Sequence, residues 1–207
     1  HLVPESAMTS MNPTARPVGV LTDLVLPEVR WRDAALVIGG ALLVAAAAQV
    51  RIPLPFTPVP ITGQTFGVAL VGASLGSRRG ALSMALYAVL GAIGLPFYAG
   101  GESGVDYAFG ATFGYLVGFV ASAAVIGALA ERQTDRRPLT AFLSVQAGSL
   151  LIFTCGVIGL MVTQGYSLGE AAARGWLPFI PGDLVKTALA AGLLPGAWKL
   201  IERFTGK

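Results

Sequence analysis

Charge is scarce in this chain of 207 residues: only 12% are Asp, Glu, Lys or Arg, while 54% are hydrophobic. Soluble domains carry about a quarter charged residues, so this sequence has too little polar surface to coat a water-facing globule. Mean hydropathy of +0.70 points to a bilayer instead. There is one cysteine, Cys155, inside an apolar run, which excludes a disulfide framework and a cysteine metal site. The one histidine, His1, lies in a segment that reads as a tag remnant ending near Met8 or Met11. Zinc sites and histidine-based catalysis are thereby argued against, and no catalytic residue, cofactor or metal is expected. No phosphate-binding Gly-x-x-x-x-Gly-Lys-Ser/Thr loop occurs, and no secretory signal is visible. Gly72-Ala-Ser-Leu-Gly76 matches the nucleophile pattern Gly-x-Ser-x-Gly, but at the end of a membrane helix with no histidine to activate Ser74. The net charge of +3 does not indicate nucleic acid, because the charges gather at helix ends and not on one face.

What is abundant is apolar sequence in long runs. Charge-free stretches cover Ala34–Val50, Ile52–Ser77, Gly80–Gly101, Tyr107–Ala130 and Pro138–Gly169, and a sixth, Leu177–Trp198, is interrupted only by Asp183 and Lys186. A spanning helix needs about 20 apolar residues. Pro53, Pro55, Pro58 and Pro60 cannot sit inside one helix, so the second run must break. The expectation is an all-α membrane protein: a bundle of six transmembrane helices near 33–50, 63–77, 79–95, 111–131, 138–163 and 178–203. Residues 1–30 are expected to be tag remnant and a tail that is disordered or lies on the membrane, and 31–207 the membrane domain. Eleven of the 14 Lys and Arg fall on one side of these helices, and only Arg51 and Arg174 on the other, so both termini are expected in the cytoplasm. Trp31, Trp176 and Trp198 fall near helix ends, as an interfacial aromatic belt requires. Gly110, Gly114, Gly118 and Ser122 recur at every fourth position and predict close helix packing.

The residues most informative about function are Asp183 and Lys186. Ionisable groups in a membrane helix are costly and mark function by default. Their spacing of three sets them on one face, and Asp183 lies roughly five residues, or about 7.5 Å, from the start of the last helix, so the pair is expected near the outer surface. They serve either a solute or merely each other as an ion pair. Three further segments can converge there: the proline-rich stretch 51–64 with Thr62 and Gln64, the glycine-rich stretch 94–104, and Tyr115. Thr62 serves equally well as a helix cap.

Five ordered blocks resemble the BioY family: Val-Pro-Ile-Thr-Gly-Gln-Thr-Phe-Gly-Val (59–68), Leu-Gly-Ser-Arg-Arg-Gly-Ala-Leu (75–82), Tyr-Ala-Val-Leu-Gly-Ala-Ile-Gly-Leu-Pro-Phe-Tyr-Ala-Gly-Gly (87–101), Thr-Phe-Gly-Tyr-Leu-Val-Gly-Phe (112–119) and Pro-Gly-Asp-Leu-Val-Lys (181–186). The resemblance runs from about Asp33 to the C-terminus. Phe113 departs from it, standing where the family usually has glycine. BioY proteins are the biotin-specific membrane subunits of energy-coupling-factor transporters. The resemblance therefore implies a multi-pass protein of a bacterial or archaeal plasma membrane that mediates biotin uptake and is not an enzyme. It also implies a transmembrane coupling subunit and two ATPase subunits as partners. Biotin would be held by Thr62, Gln64, Tyr87, Phe97, Gly100, Gly101, Tyr115, Asp183 and Lys186. An Ala-x-x-x-Ala on the first helix, matched by Ala41 and Ala45, would dock the coupling subunit. Alternatives are a subunit for another small vitamin, differing in the 94–104 and 181–186 blocks, and an intramembrane lipid-modifying enzyme with Asp183 as base.

Overall fold

The computed structural model describes residues 19–25 and 31–205. The expected tag remnant and most of the tail, with Arg16, Arg30 and Lys207, lie outside the described residues. The described residues are mostly helical, because the apolar runs leave backbone groups no partner but their own helix. The elements are α1 (Leu21–Val25), α2 (Arg32–Ala48), a short antiparallel ribbon of β1 (Arg51–Ile52) and β2 (Ile61–Thr62), α3 (Gln64–Leu75), α4 (Ser77–Ala92), α5 (Val105–Ala108), α6 (Phe113–Ala130), α7 (Pro138–Gln164), α8 (Leu168–Gly175) and α9 (Ile180–Thr205). Among the described residues, three helical stretches, Phe113–Ala130, Pro138–Gln164 and Leu168–Phe204, are long and apolar enough to cross a membrane.

The prolines decide the shape of the second apolar run. They hold residues 53–60 out of helix between β1 and β2, so α3 keeps only 12 residues, a rise of about 18 Å against a hydrocarbon core of about 30 Å. Gly76 then turns α3 into α4 at a positive φ of 85°, a conformation that suits glycine. Gly127 of α6 packs directly on this elbow, and Glu131 accepts hydrogen bonds from the Ser77 N–H and hydroxyl, each at 2.8 Å.

Helices α6 and α7 are in backbone contact. A Cβ at Gly114 would fall on the carbonyl oxygen of Cys155, and one at Gly118 would lie 2.8 Å from Ile152 Cα. From Gly114 to Ser122 the small-residue stripe is thus a packing face, with Ser122 meeting Gly148 further along, whereas Gly110 lies before α6, against the Asp106 and Tyr107 carbonyls. Phe113 leaves that contact intact because it points away, stacking on Phe109 with ring centroids 5.2 Å apart.

One end of the bundle gathers the basic residues. Asp23 of α1 pairs with Arg32 and, at 2.7 Å, with Arg79, while Arg79 also pairs with Asp33 at 2.9 Å. Val20 and Leu21 are buried against the core beside Ile126 and Leu194, so this part of the tail packs on the bundle. Trp198 is also buried at this end, its indole N–H donating to Asp135 Oδ2 at 2.5 Å under the Arg136 guanidinium. Trp198 therefore packs inside the bundle, with its N–H satisfied by a carboxylate, and presents no ring to the surroundings. Trp176 is likewise committed, stacked on Phe153, whereas Trp31 is exposed.

Candidate functional site

Opposite the basic end, the short α3 leaves room that other helices do not fill. The irregular stretch before it, the 94–112 segment, α6, α7 and the start of α9 surround a cleft. Non-helical backbone is tolerated at such depth where it lines a cavity, and Val59, Pro60 and Thr62 do so here. The walls are largely aromatic: Tyr98, Tyr107, Tyr115, Phe119, Phe153 and Phe179. Tyr98 and Tyr107 stack with centroids 5.2 Å apart, and Phe153 and Phe179 with centroids 6.1 Å apart.

Polar groups enter from α3 and α9. Lys186 donates to the carbonyl of Thr62 at 2.8 Å and to Thr65 Oγ1 at 2.9 Å, which uses two of the three N–H bonds of its ammonium. Gln64 is fixed at both ends of its amide: Thr62 Oγ1 donates to Oε1 at 2.7 Å, and Nε2 donates to the Tyr87 hydroxyl at 2.5 Å. Thr62 also accepts from the Gln64 backbone N–H at 3.3 Å and faces the cleft; it is not the helix cap, since Gly63 holds the N-cap position of α3 and no side chain caps it. A site built this way holds one cation and one amide rigidly in an otherwise apolar enclosure, which suits a small solute with a carbonyl and an apolar body.

Of the residues expected in the site, Thr62, Gln64, Tyr115 and Lys186 line the cleft. Tyr115 offers only its ring, since its hydroxyl donates to the carbonyl of Gly175 at 2.6 Å. Tyr87 stands behind Gln64, fully buried, and Phe97 stacks on Tyr87 at 6.5 Å, so both support the lining without forming it. Gly100 and Gly101 turn the chain at positive φ beside it. A Cβ at Gly100 would meet the Arg51 side chain, which pairs with Glu102 at 3.7 Å. Asp183 is absent from the lining. Its carboxylate accepts from Ser149 Oγ at 2.8 Å and from Gln146 Nε2 at 3.4 Å in the seam between α7 and α9, and it forms no ion pair with Lys186.

The depth of Asp183 also differs from expectation. Its partner Ser149 lies about 16 Å along α7 from Pro138 and about 22 Å from Gln164, so Asp183 sits nearer the basic end. The cause is α8 and the 3-10 turn Leu177–Phe179, which bring the chain back along α7 past Leu160 and Phe153 before α9 begins. Ala41 and Ala45 require a correction as well. They are 1% and 6% exposed and packed into the core, because α2 turns that face towards its neighbours in the bundle; Ile38, Leu42 and Leu43 form its outer face.

The sequence model described as "BioY family" matches residues 19–203 of the chain. The chain belongs to the BioY family. Among curated BioY relatives, the biotin transporter of Rhodobacter capsulatus is 40% identical over 161 residues, covering 72% of this chain and 84% of the relative. That of Rhizobium etli is 36% identical over 159 residues, covering 73% and 84%. That of Thermotoga maritima is 39% identical over 149 residues, covering 72% and 85%. In fold, the chain is similar to a crystal structure of the S-component for biotin from an ECF-type ABC transporter, with a TM-score of 0.75 at 24% identity, covering 84% of this chain and 95% of that one.

For this BioY chain, reading the sequence missed most of the aromatic wall. Tyr98, Tyr107, Phe119, Phe153 and Phe179 carry no mark in an apolar sequence that separates cleft from core. Thr65 carries one, since it follows Gln64 at the first turn of α3, within reach of the same cavity.

Proposed function

We propose that this chain is the biotin-binding membrane subunit of an energy-coupling-factor transporter and mediates biotin uptake. The observation that carries this reading, beside family membership, is the cleft with Lys186 and Gln64 fixed in an aromatic enclosure. Biotin presents matching chemistry: a ureido carbonyl and N–H groups, an apolar thiophane, and a valerate ending in a carboxylate. In this reading Lys186 and Gln64 meet the polar ring, Tyr98, Tyr107, Tyr115 and Phe153 pack the thiophane, and Tyr87 and Phe97 hold Gln64 in place.

The chain crosses a bacterial or archaeal plasma membrane six times, with the basic end and both termini in the cytoplasm. Support comes from the gathering of Arg32, Arg79 and Arg136 at one end, away from the cleft. The α3 segment completes its crossing through the non-helical stretch before it. A transmembrane coupling subunit and two ATPases energise uptake, and the coupling subunit meets the apolar outer face of α2 at Ile38, Leu42 and Leu43. A lipid-modifying reaction at Asp183 is disfavoured, because that carboxylate is buried, hydrogen-bonded to Ser149 and Gln146 of α7, and not among the residues that line the cleft.

The test is calorimetric titration of purified chain with biotin and a panel of other vitamins, without ATP or partners. Biotin alone is expected to bind, with a dissociation constant below micromolar. Lys186→Met should weaken it roughly ten- to a hundred-fold, the loss of one charge-assisted hydrogen bond. Folded protein that binds another vitamin more tightly, or a Lys186→Met variant with parental affinity, would overturn the assignment.

A further inference from the structure

One cation at the rim of the cleft takes no part in its lining. Arg51 opens the short ribbon before α3, paired across it with Thr62. Directly opposed residues of an antiparallel ribbon send their side chains to the same face, and Thr62 lines the cleft. The Arg51 side chain runs against Gly100, where an added Cβ would lie 2.7 Å from its Cδ and 2.9 Å from its Nη1. Gly100 stands at a positive φ of 74° and donates its N–H to the carbonyl of Ala48 at 3.1 Å, so the loop is fixed over the arginine stem. Ala99, the residue before it, lines the cleft, and so does Tyr107, whose hydroxyl feels the charges of both Arg51 and Glu102.

This arginine is held firmly at its stem and loosely at its head. Glu102 meets the guanidinium at 3.7 Å, longer than a hydrogen bond, and the two side chains are 36% and 50% exposed. Such an ion pair contributes little. A carboxylate that fits the guanidinium fork with two short hydrogen bonds therefore displaces Glu102 at small cost. Lys186, the cation inside the cleft, already spends two of its N–H bonds on Thr62 and Thr65. The enclosure thus has a committed cation among its inner polar groups and a loosely paired one at its rim. That layout suits a solute with a polar head, an apolar body and an anionic tail. We propose that Arg51 binds the carboxylate of the solute, with Glu102 as the competing partner it gives up, and so sets the preference of the cleft for an acid over a neutral analogue. The inference rests on the biotin reading, in which that carboxylate is the end of the valerate. Before binding, Glu102 keeps the guanidinium at the rim; the valerate then takes its place.

The experiment is calorimetric titration of the full chain in detergent, at neutral pH, with biotin and with its primary amide, which keeps the ring and the length but has no charge. The parent should bind biotin about tenfold more tightly than the amide. Arg51→Met should weaken biotin by about tenfold, the loss of one charge-assisted pair, and shift the amide by no more than about threefold. Arg51→Lys should recover part of the loss for biotin, since it restores the charge without the fork. Glu102→Gln should tighten biotin roughly two- to fivefold and leave the amide near its parental affinity. An arginine that only ties residues 94–104 to the ribbon predicts equal losses for both compounds in Arg51→Met, and weaker binding of both in Glu102→Gln. Either result would overturn the proposal, as would a parent that binds acid and amide alike. If Arg51→Met does not fold, the parental preference and the Glu102→Gln titrations decide the matter. A folded parent that binds neither compound sinks the biotin reading and this inference together, whereas parental biotin affinity in Arg51→Met sinks this inference alone.

Discussion

Helix α7 has two long neighbours and meets them by opposite means. Against α6 it presents Gly148, Gly156 and Gly159, where an added Cβ would strike Ile126, Tyr115 and Gly114 respectively. Against α9 it presents Gln146 and Ser149, which reach Asp183, and at its basic end the Asp135–Trp198 bond joins the preceding turn to α9. The glycines of α9 take no part: Gly192 and Gly196 have nothing within 4 Å of the position a Cβ would occupy. In a membrane, where apolar side chains gain little by leaving lipid for protein, close backbone packing and interhelical hydrogen bonds are the two ways helices hold together. Here each is used on one side of the same helix. The α6 seam is set by shape, and the α9 seam by a small number of polar groups that can be changed individually.

The largest effect should come from filling the shaped seam. Gly114→Leu places four carbons where the Cys155 carbonyl stands, and no monodisperse folded protein is expected on size-exclusion chromatography. Gly118→Ala adds one methyl 2.8 Å from Ile152 Cα and should destabilise by about 1–3 kcal/mol in thermal melts, the ordinary cost of overpacking.

On the polar side, Asp135→Asn keeps an acceptor for Trp198 and should cost no more than about 1 kcal/mol at neutral pH, but it should alter the pH profile. Burial raises the Asp135 carboxyl above its ordinary range, opposed by the Trp198 N–H and by Arg136. A raised carboxyl favours the fold fully below its ordinary value of about 4, and that contribution is lost as pH rises through the folded value. The parent should therefore lose stability over that interval, and Asp135→Asn should flatten the loss. A parallel decline in both proteins would show that this carboxyl does not couple to folding. The smallest effect belongs to Gly192→Ala, expected within about 0.5 kcal/mol of the parent by thermal melting. A loss comparable with that of Gly118→Ala would mean that α9 also packs by shape and that the contrast between the two seams fails.

Much of this molecule follows from local chemistry. Runs of apolar sequence make helices in any solvent that withholds hydrogen bonds, so the helix boundaries lie within about three residues of the expected ones. Prolines at four positions forbid a helix over 53–60 wherever that segment is placed, and the every-fourth-residue glycines of α6 announce a close neighbour without naming it. Thr62, Gln64 and Lys186 stood out because polar groups in apolar sequence must answer to something. Tertiary structure decided what they answer to. Spacing alone put Asp183 and Lys186 on one face, yet side chains three residues apart on a helix span enough arc for one to be taken by α7 and the other by α3. The inward turn of Ala41 and Ala45, the burial of Trp198 and the mid-depth start of α9 were likewise settled by which neighbour lay where. Such outcomes depend on contacts between residues far apart in the chain, and no period or composition records them. The local sequence determined the helices and the polar groups on them; the packing of those helices determined which polar groups face the cleft and which face each other.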